Sequence, residues 1–148
     1  MKSKLILICT MAAILLCLFA CSPASKVSVE ASCDDFTKLP PEERAISKEV
    51  EIAVDGSVTV TLCSNPSTGF QWEPAKISDQ TVLQQVNHKF EAPEHTGDGP
   101  PPPGTPGKEV WTFKALKESK STISIEYSRP WEGGEKAAWT FVLTVVVK

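Results

Sequence analysis

Histidine is scarce in this sequence: only His88 and His95 stand among 148 residues. His88 falls in the middle of a predicted strand and His95 in a loop rich in Pro and Gly, so both are expected to be structural or solvated. That leaves no general base beside any Ser or Cys nucleophile. There is no His-Glu-x-x-His, no nucleophile elbow, and no Gly-rich loop opening a helix to cradle phosphate. Gly97-x-Gly99 lies in the Pro-rich stretch and carries no nucleotide signal. Glu132 and Glu135 are close in sequence, but on a loop they are expected to be solvated. No enzyme, cofactor or metal site follows from these residues. Runs of Lys or Arg are also missing, and the formal charge is −3, so nothing recruits nucleic acid. No segment keeps a helical period, and no repeat is visible.

Cysteine is sparse but informative. Met1-Lys2-Ser3-Lys4 is a short basic segment, and Leu5 to Ala20 is apolar apart from Cys9, Thr10 and Cys17. This pattern predicts a secretory signal over residues 1–20. Leu18-Phe19-Ala20-Cys21 resembles a lipoprotein box, which implies cleavage before Cys21 and diacylation of its thiol. The protein is then expected on the membrane of the cell envelope, held by two acyl chains. Ordinary cleavage between Ala20 and Ser25, giving a secreted protein, is the alternative. Loss of Lys2 and Lys4 with the signal removes two positive charges and no acids, taking the formal charge from −3 to −5. Cys33 and Cys63 remain. In an oxidising compartment a lone pair reads as one disulfide, closing a loop of about 30 residues that stabilises by roughly 3 kcal/mol. Two unpaired thiols remain the other possibility.

Residues 21–47 read as a tether and leader, with any short helix starting at Glu42-Glu43-Arg44. From residue 48 to residue 148 the period is two. Val50, Ile52 and Val54 alternate with Glu49, Glu51 and Ala53, Asp55-Gly56 turns the chain, and Val58, Val60 and Leu62 alternate again. This predicts a hairpin with one buried face. Cys63 falls on the Thr face, so a bridge to Cys33 would pin the leader outside the sheet. Val82 to Phe90 is a weakly alternating strand, suited to an edge, with Val82, Gln84, Val86 and His88 on one face. Glu91 to Gly107, including Pro100 to Pro103, is a loop too rich in Pro for helix or strand. Trp111, Phe113 and Ala115 then share a face, as do Ile123, Ile125 and Tyr127, and Trp139, Phe141, Leu143, Val145 and Val147. About seven strands with short turns predict an all-β fold, an immunoglobulin-like antiparallel β-sandwich, expected as a monomer.

Three loops stand out. Asn65-Pro66-Ser67-Thr68-Gly69-Phe70 pairs a Pro that fixes φ with a Gly that can turn the chain back, leaving Ser67 and Thr68 at an exposed tip. Gly104-Thr105-Pro106-Gly107 precedes the strand around Trp111. Arg129-Pro130-Trp131 is followed by Glu132-Gly133-Gly134. As alternate connections of a sandwich they are expected at one end, where Trp131 would be a good binding anchor. An adhesion or glycan-binding module would use an exposed Trp equally well. The small hydroxyl pair of the first loop is the feature such a module does not need.

Asn-Pro-Ser-Thr-Gly-Phe, Gly-Thr-Pro-Gly-Lys-Glu-Val-Trp-Thr-Phe and Arg-Pro-Trp-Glu-Gly-Gly, in this order, resemble the chagasin-type inhibitors of papain-like cysteine peptidases over about Val50 to Lys148. The resemblance implies a tight, reversible inhibitor whose three loops form a wedge in the peptidase cleft. Asn65 to Gly69 would reach the catalytic centre, Arg129-Pro130-Trp131 would flank it, and Gly104 to Gly107 would touch the opposite side through its backbone. Two residues depart from the family pattern. Ser67 stands where Thr is frequent, at a cost of about 1 kcal/mol or less in methyl contact. Pro106 stands where a small residue is common, removing a backbone donor.

Overall fold

The computed structural model describes residues 24–40, 42–94 and 97–148. Cys9, Cys17, Cys21 and His95, and with them the signal and lipidation expectations, lie outside the described residues. The elements run β1 (Lys26–Ala31), a one-turn helix α1 (Cys33–Thr37), β2 (Ala45–Ile52) and β3 (Ser57–Ser64). After a 3-10 turn at Pro66–Thr68 come the two-residue strands β4 (Gln71–Trp72) and β5 (Lys76–Ile77). The chain ends with β6 (Leu83–Glu91), β7 (Gly107–Ala115), β8 (Ser119–Ser128) and β9 (Trp139–Val147). Period-two patterning puts one face of each long strand against the other sheet. Val58, Val60, Leu62, Trp111 and Phe113 thereby meet Ile123, Ile125, Phe141, Leu143 and Val145, all of them buried.

One sheet has the order β1-β3-β7-β6, and the other β2-β9-β8-β4, with β5 also on β8. The sandwich expectation stands, with nine strands among the described residues where about seven were expected. The two strands not expected are β1 and β5, and two edge pairings depart from the antiparallel scheme by being parallel, β1 on β3 and β2 on β9.

Those edges overturn the predicted hairpin. β2 and β3 belong to different sheets, so Asp55-Gly56 carries the chain across the sandwich rather than back along one sheet. The turn itself is real: Asp55 has φ 63° and the Gly56 N–H donates to the Ala53 carbonyl at 2.9 Å. Gly56 is needed because a Cβ would lie 2.6 Å from the Ser25 hydroxyl.

The leader is likewise more than a tether. Lys26–Ala31 pairs with β3, and the helix forms at Cys33–Thr37, not at Glu42–Arg44. Ser32 and Asp35 close a capping box at its start, which satisfies two donors that a single turn would otherwise leave open. The Cys33–Cys63 bridge is present, with Cα atoms 5.2 Å apart. It does not hold the leader outside the sheet. Phe36 is buried and stacks on Trp139 at 4.9 Å, with Trp72 at 5.5 Å. α1 therefore plugs the opening between the two sheets beside the end of β3.

The strand β6 is an edge, as expected, but its predicted faces do not hold. A bulge at Val86 shifts the register between Gln85 and Asn87. Leu83 and Gln85 therefore share a side with His88 and Phe90, which oppose Trp111 and Glu109.

Candidate functional site

The connections β3–β4, β6–β7 and β8–β9 meet at one pole of the sandwich. The register requires it: Ser64 at the end of β3 opposes Gly107 at the start of β7, and Gln71 opposes Ser128. Gly107 is thus the first residue of β7, and the second loop proper is Gly104-Thr105-Pro106.

The loop 65–70 is held almost wholly by its own polar groups. Asn65 Oδ1 accepts from the Ser67 N–H at 3.3 Å and from the Ser67 hydroxyl at 2.7 Å. The Thr68 hydroxyl donates to the Asn65 carbonyl at 2.7 Å, and the Gly69 N–H to the Pro66 carbonyl at 3.0 Å. Gly69, at φ 79°, ends the turn in a conformation that L-residues avoid. The Asn65 N–H donates to the Tyr127 hydroxyl at 3.0 Å, tying the loop to the core. Ser67 and Thr68 are exposed, as expected. Their protons, however, are committed inside the loop, so carbon and oxygen lone pairs are what they offer outward.

The neighbouring loops lock onto this turn. Asn65 Nδ2 donates to the Gly104 carbonyl at 2.8 Å. Gly104 has φ 84°, and Thr105 closes its own turn by donating to the Pro102 carbonyl at 2.6 Å. On the other flank the Trp131 ring lies so near Gly69 that a Cβ there would be 2.7 Å from it. Trp131 is 51% exposed despite this contact. The Arg129 guanidinium sits over the Phe70 ring at 4.4 Å and near the Trp131 ring at 5.8 Å. Arg129 therefore bridges the first and third loops, its Nε buried with no hydrogen-bond partner. Pro130 is exposed beside it. Glu132 and Glu135 are both exposed, as expected; Glu135 pairs with Arg44 at the surface at 2.7 Å, and its carbonyl accepts from the Arg129 N–H at 2.8 Å at the base of the third loop.

Beneath the loops runs a polar chain not foreseen from the sequence. The Ser64 hydroxyl donates to Glu109 Oε1 at 3.0 Å, and His88 Nε2 meets Glu109 Oε2 at 2.8 Å. The His88 ring stacks on Trp111 at 4.6 Å, so its structural assignment stands. Parity was the available signal, since Glu109 shares the inner face with Trp111 and Phe113. Beside Glu109, Lys108 is held above its usual value by its hydrogen bond to Glu30. Among the described residues no group of three His, Cys, Asp or Glu side chains could hold a metal ion.

Taken together, the structure is a β-sandwich that carries three interlocked, self-bonded loops at one pole. Residues 51–145 match the model of the chagasin family, described as chagasin family peptidase inhibitor I42. The chain belongs to this family of peptidase inhibitors, and is accordingly not an enzyme. It is 31% identical over 99 residues to Amoebiasin-2 of Entamoeba histolytica, spanning 67% of this chain and 76% of that protein. Its fold is shared with the cysteine protease inhibitor EhICP2 of Entamoeba histolytica at a TM-score of 0.61 and 21% identity, over 83% of this chain and 97% of that one. PbICP-C, solved in complex with falcipain-2, matches at a TM-score of 0.59 and 16% identity, over 82% and 98% of the two chains.

Proposed function

We propose that this protein reversibly inhibits papain-like cysteine peptidases by inserting the loops 65–70, 104–107 and 129–134 together into the active-site cleft. The observation that carries the reading is their mutual locking, through Asn65 to Gly104 and Gly69 to Trp131. A wedge that is rigid before docking loses little entropy on binding. Cleavage would require the first loop to lie extended along the cleft. Its residues are curled into a 3-10 turn instead, and unrolling it would break the Asn65, Ser67 and Thr68 hydrogen bonds. The loop therefore fills the site without offering a scissile bond in line with the nucleophile. Trp131 serves as the aromatic anchor, and Arg129, engaged with Phe70, holds it in place. With Pro106 lacking an N–H and the Gly104 carbonyl engaged by Asn65, Thr105 makes the second-loop contacts.

Titration of papain with the chain lacking its first 20 residues should reach full inhibition at one equivalent. Trp131→Ala should weaken it by about 1–3 kcal/mol. Undiminished hydrolysis at large inhibitor excess refutes the reading. On the lipoprotein-like Leu18-Phe19-Ala20-Cys21 we also propose that the processed protein is held at the cell envelope by lipid on Cys21, with the domain acting as a monomer. A mass for the native protein without two acyl chains and a glycerol on Cys21 refutes the anchor.

A further inference from the structure

We infer that the peptidase footprint extends past the three loops onto the β6 edge, where Phe90 is a second aromatic anchor. This rests on the inhibitor reading above. Large apolar side chains exposed among the described residues are Val86, Phe90, Leu116 and Trp131. Phe90 and Trp131, 48% and 51% exposed, flank one groove of about 430 Å³. Pro66, Gly69 and Phe70 form its loop side, and His88 and Glu109 its floor. The groove is thus continuous with the wedge, because Gly69 and Trp131 belong to both.

Phe90 is there through two local features. The bulge at Val86 turns residues 88 and 90 to the side that opposes Trp111 and Glu109. Gly107 then leaves room for the ring, since a Cβ at that position would lie 2.6 Å from Phe90 Cζ. The floor is fixed by the bond from Ser64 to Glu109 and the contact of Glu109 with His88. Two half-exposed aromatic rings facing one rigid groove suit an apolar side chain on the lip of the peptidase cleft, beside the wedge. Peptidases differ in their lips more than in their catalytic centres, so this contact sets selectivity.

The test measures inhibition constants and dissociation rates of Phe90→Ala, Trp131→Ala and Leu116→Ala against papain and several related cysteine peptidases. Leu116 is exposed just past the end of β7, at the opposite pole, and does not line the groove. Phe90→Ala should weaken inhibition by about tenfold or more through faster dissociation, unequally across the panel, while Leu116→Ala changes nothing. Unchanged inhibition by Phe90→Ala alongside a weakened Trp131→Ala overturns the proposal and leaves the loop reading intact. If neither substitution matters, the loop reading itself falls. Should Phe90→Ala not fold, hydrogen exchange of the unaltered protein with and without papain decides: new protection at residues 88–91 supports the contact, and its absence overturns it. A dimer of the free protein that Phe90→Ala dissolves assigns the groove to a second copy and equally overturns it.

Discussion

Replacing Gly69 by Ala perturbs the head of this inhibitor at its tightest point. Two costs arise from one methyl group. The first is conformational, because Gly69 sits at φ 79° and an L-residue in that region costs about 1–2 kcal/mol. The second is steric, because the added carbon would lie 2.7 Å from the Trp131 ring, inside ordinary van der Waals contact. The ring is half exposed and its loop can yield, so it moves outward by about 1 Å rather than destabilising the core. At about 4 °C per kcal/mol for a domain of this size, the strain should lower Tm by about 4–8 °C. The displaced anchor should weaken papain inhibition by about tenfold or more. Thermal denaturation and inhibitor titration read the two effects separately. Gly69→Ala with unchanged Tm and unchanged inhibition would refute both the strained turn and its coupling to Trp131.

Three further outcomes follow from other contacts. Tyr127→Phe removes the acceptor of the partly buried Asn65 N–H and should cost about 1–3 kcal/mol; an unchanged Tm together with unchanged inhibition argues against this support. Phe36→Ala empties the space between Trp72 and Trp139 and should cost about 3–5 kcal/mol by chemical denaturation; a loss below about 1 kcal/mol would return α1 to the status of a surface appendage. Asp35 is held below its usual value, chiefly by the Ser32 N–H and then by the Ser32 hydroxyl. A depressed carboxylate contributes stability above its unfolded value that is lost as pH falls through the folded one. Acidification through and below the ordinary Asp range should therefore loosen α1, seen as a change in near-UV dichroism, and Asp35→Asn should abolish that step. An identical acid profile in the variant contradicts it.

The long strands and the three loops were legible because their signals are local. Alternation over Trp139–Val147 or Val58–Leu62 identifies both strand and buried face, and Pro, Gly and small hydroxyls mark the special turns. Partnership was not local. The turn Asp55-Gly56 has hairpin chemistry, yet β2 and β3 pair in parallel with strands far along the chain, and no residue near the turn records this. The helix α1 is too short for a period and depends on a capping box, a disulfide and one buried ring. The bulge in β6 changes which residues share a face, setting His88 and Phe90 with Leu83 and Gln85 instead of with Val82 and Gln84. In the first loop the hydroxyls were recognised, but their direction depends on Asn65, whose side chain organises the turn.

The parallel pairing of β1 with β3 also settles where the chain enters the domain. Lys26 stands beside Ser57 at the start of β3, whereas the loop 65–70 follows Ser64 at its end. Eight residues of strand, about 26 Å, separate entry from head. Ala24 therefore lies at the foot of the sandwich, and the three loops crown the opposite pole.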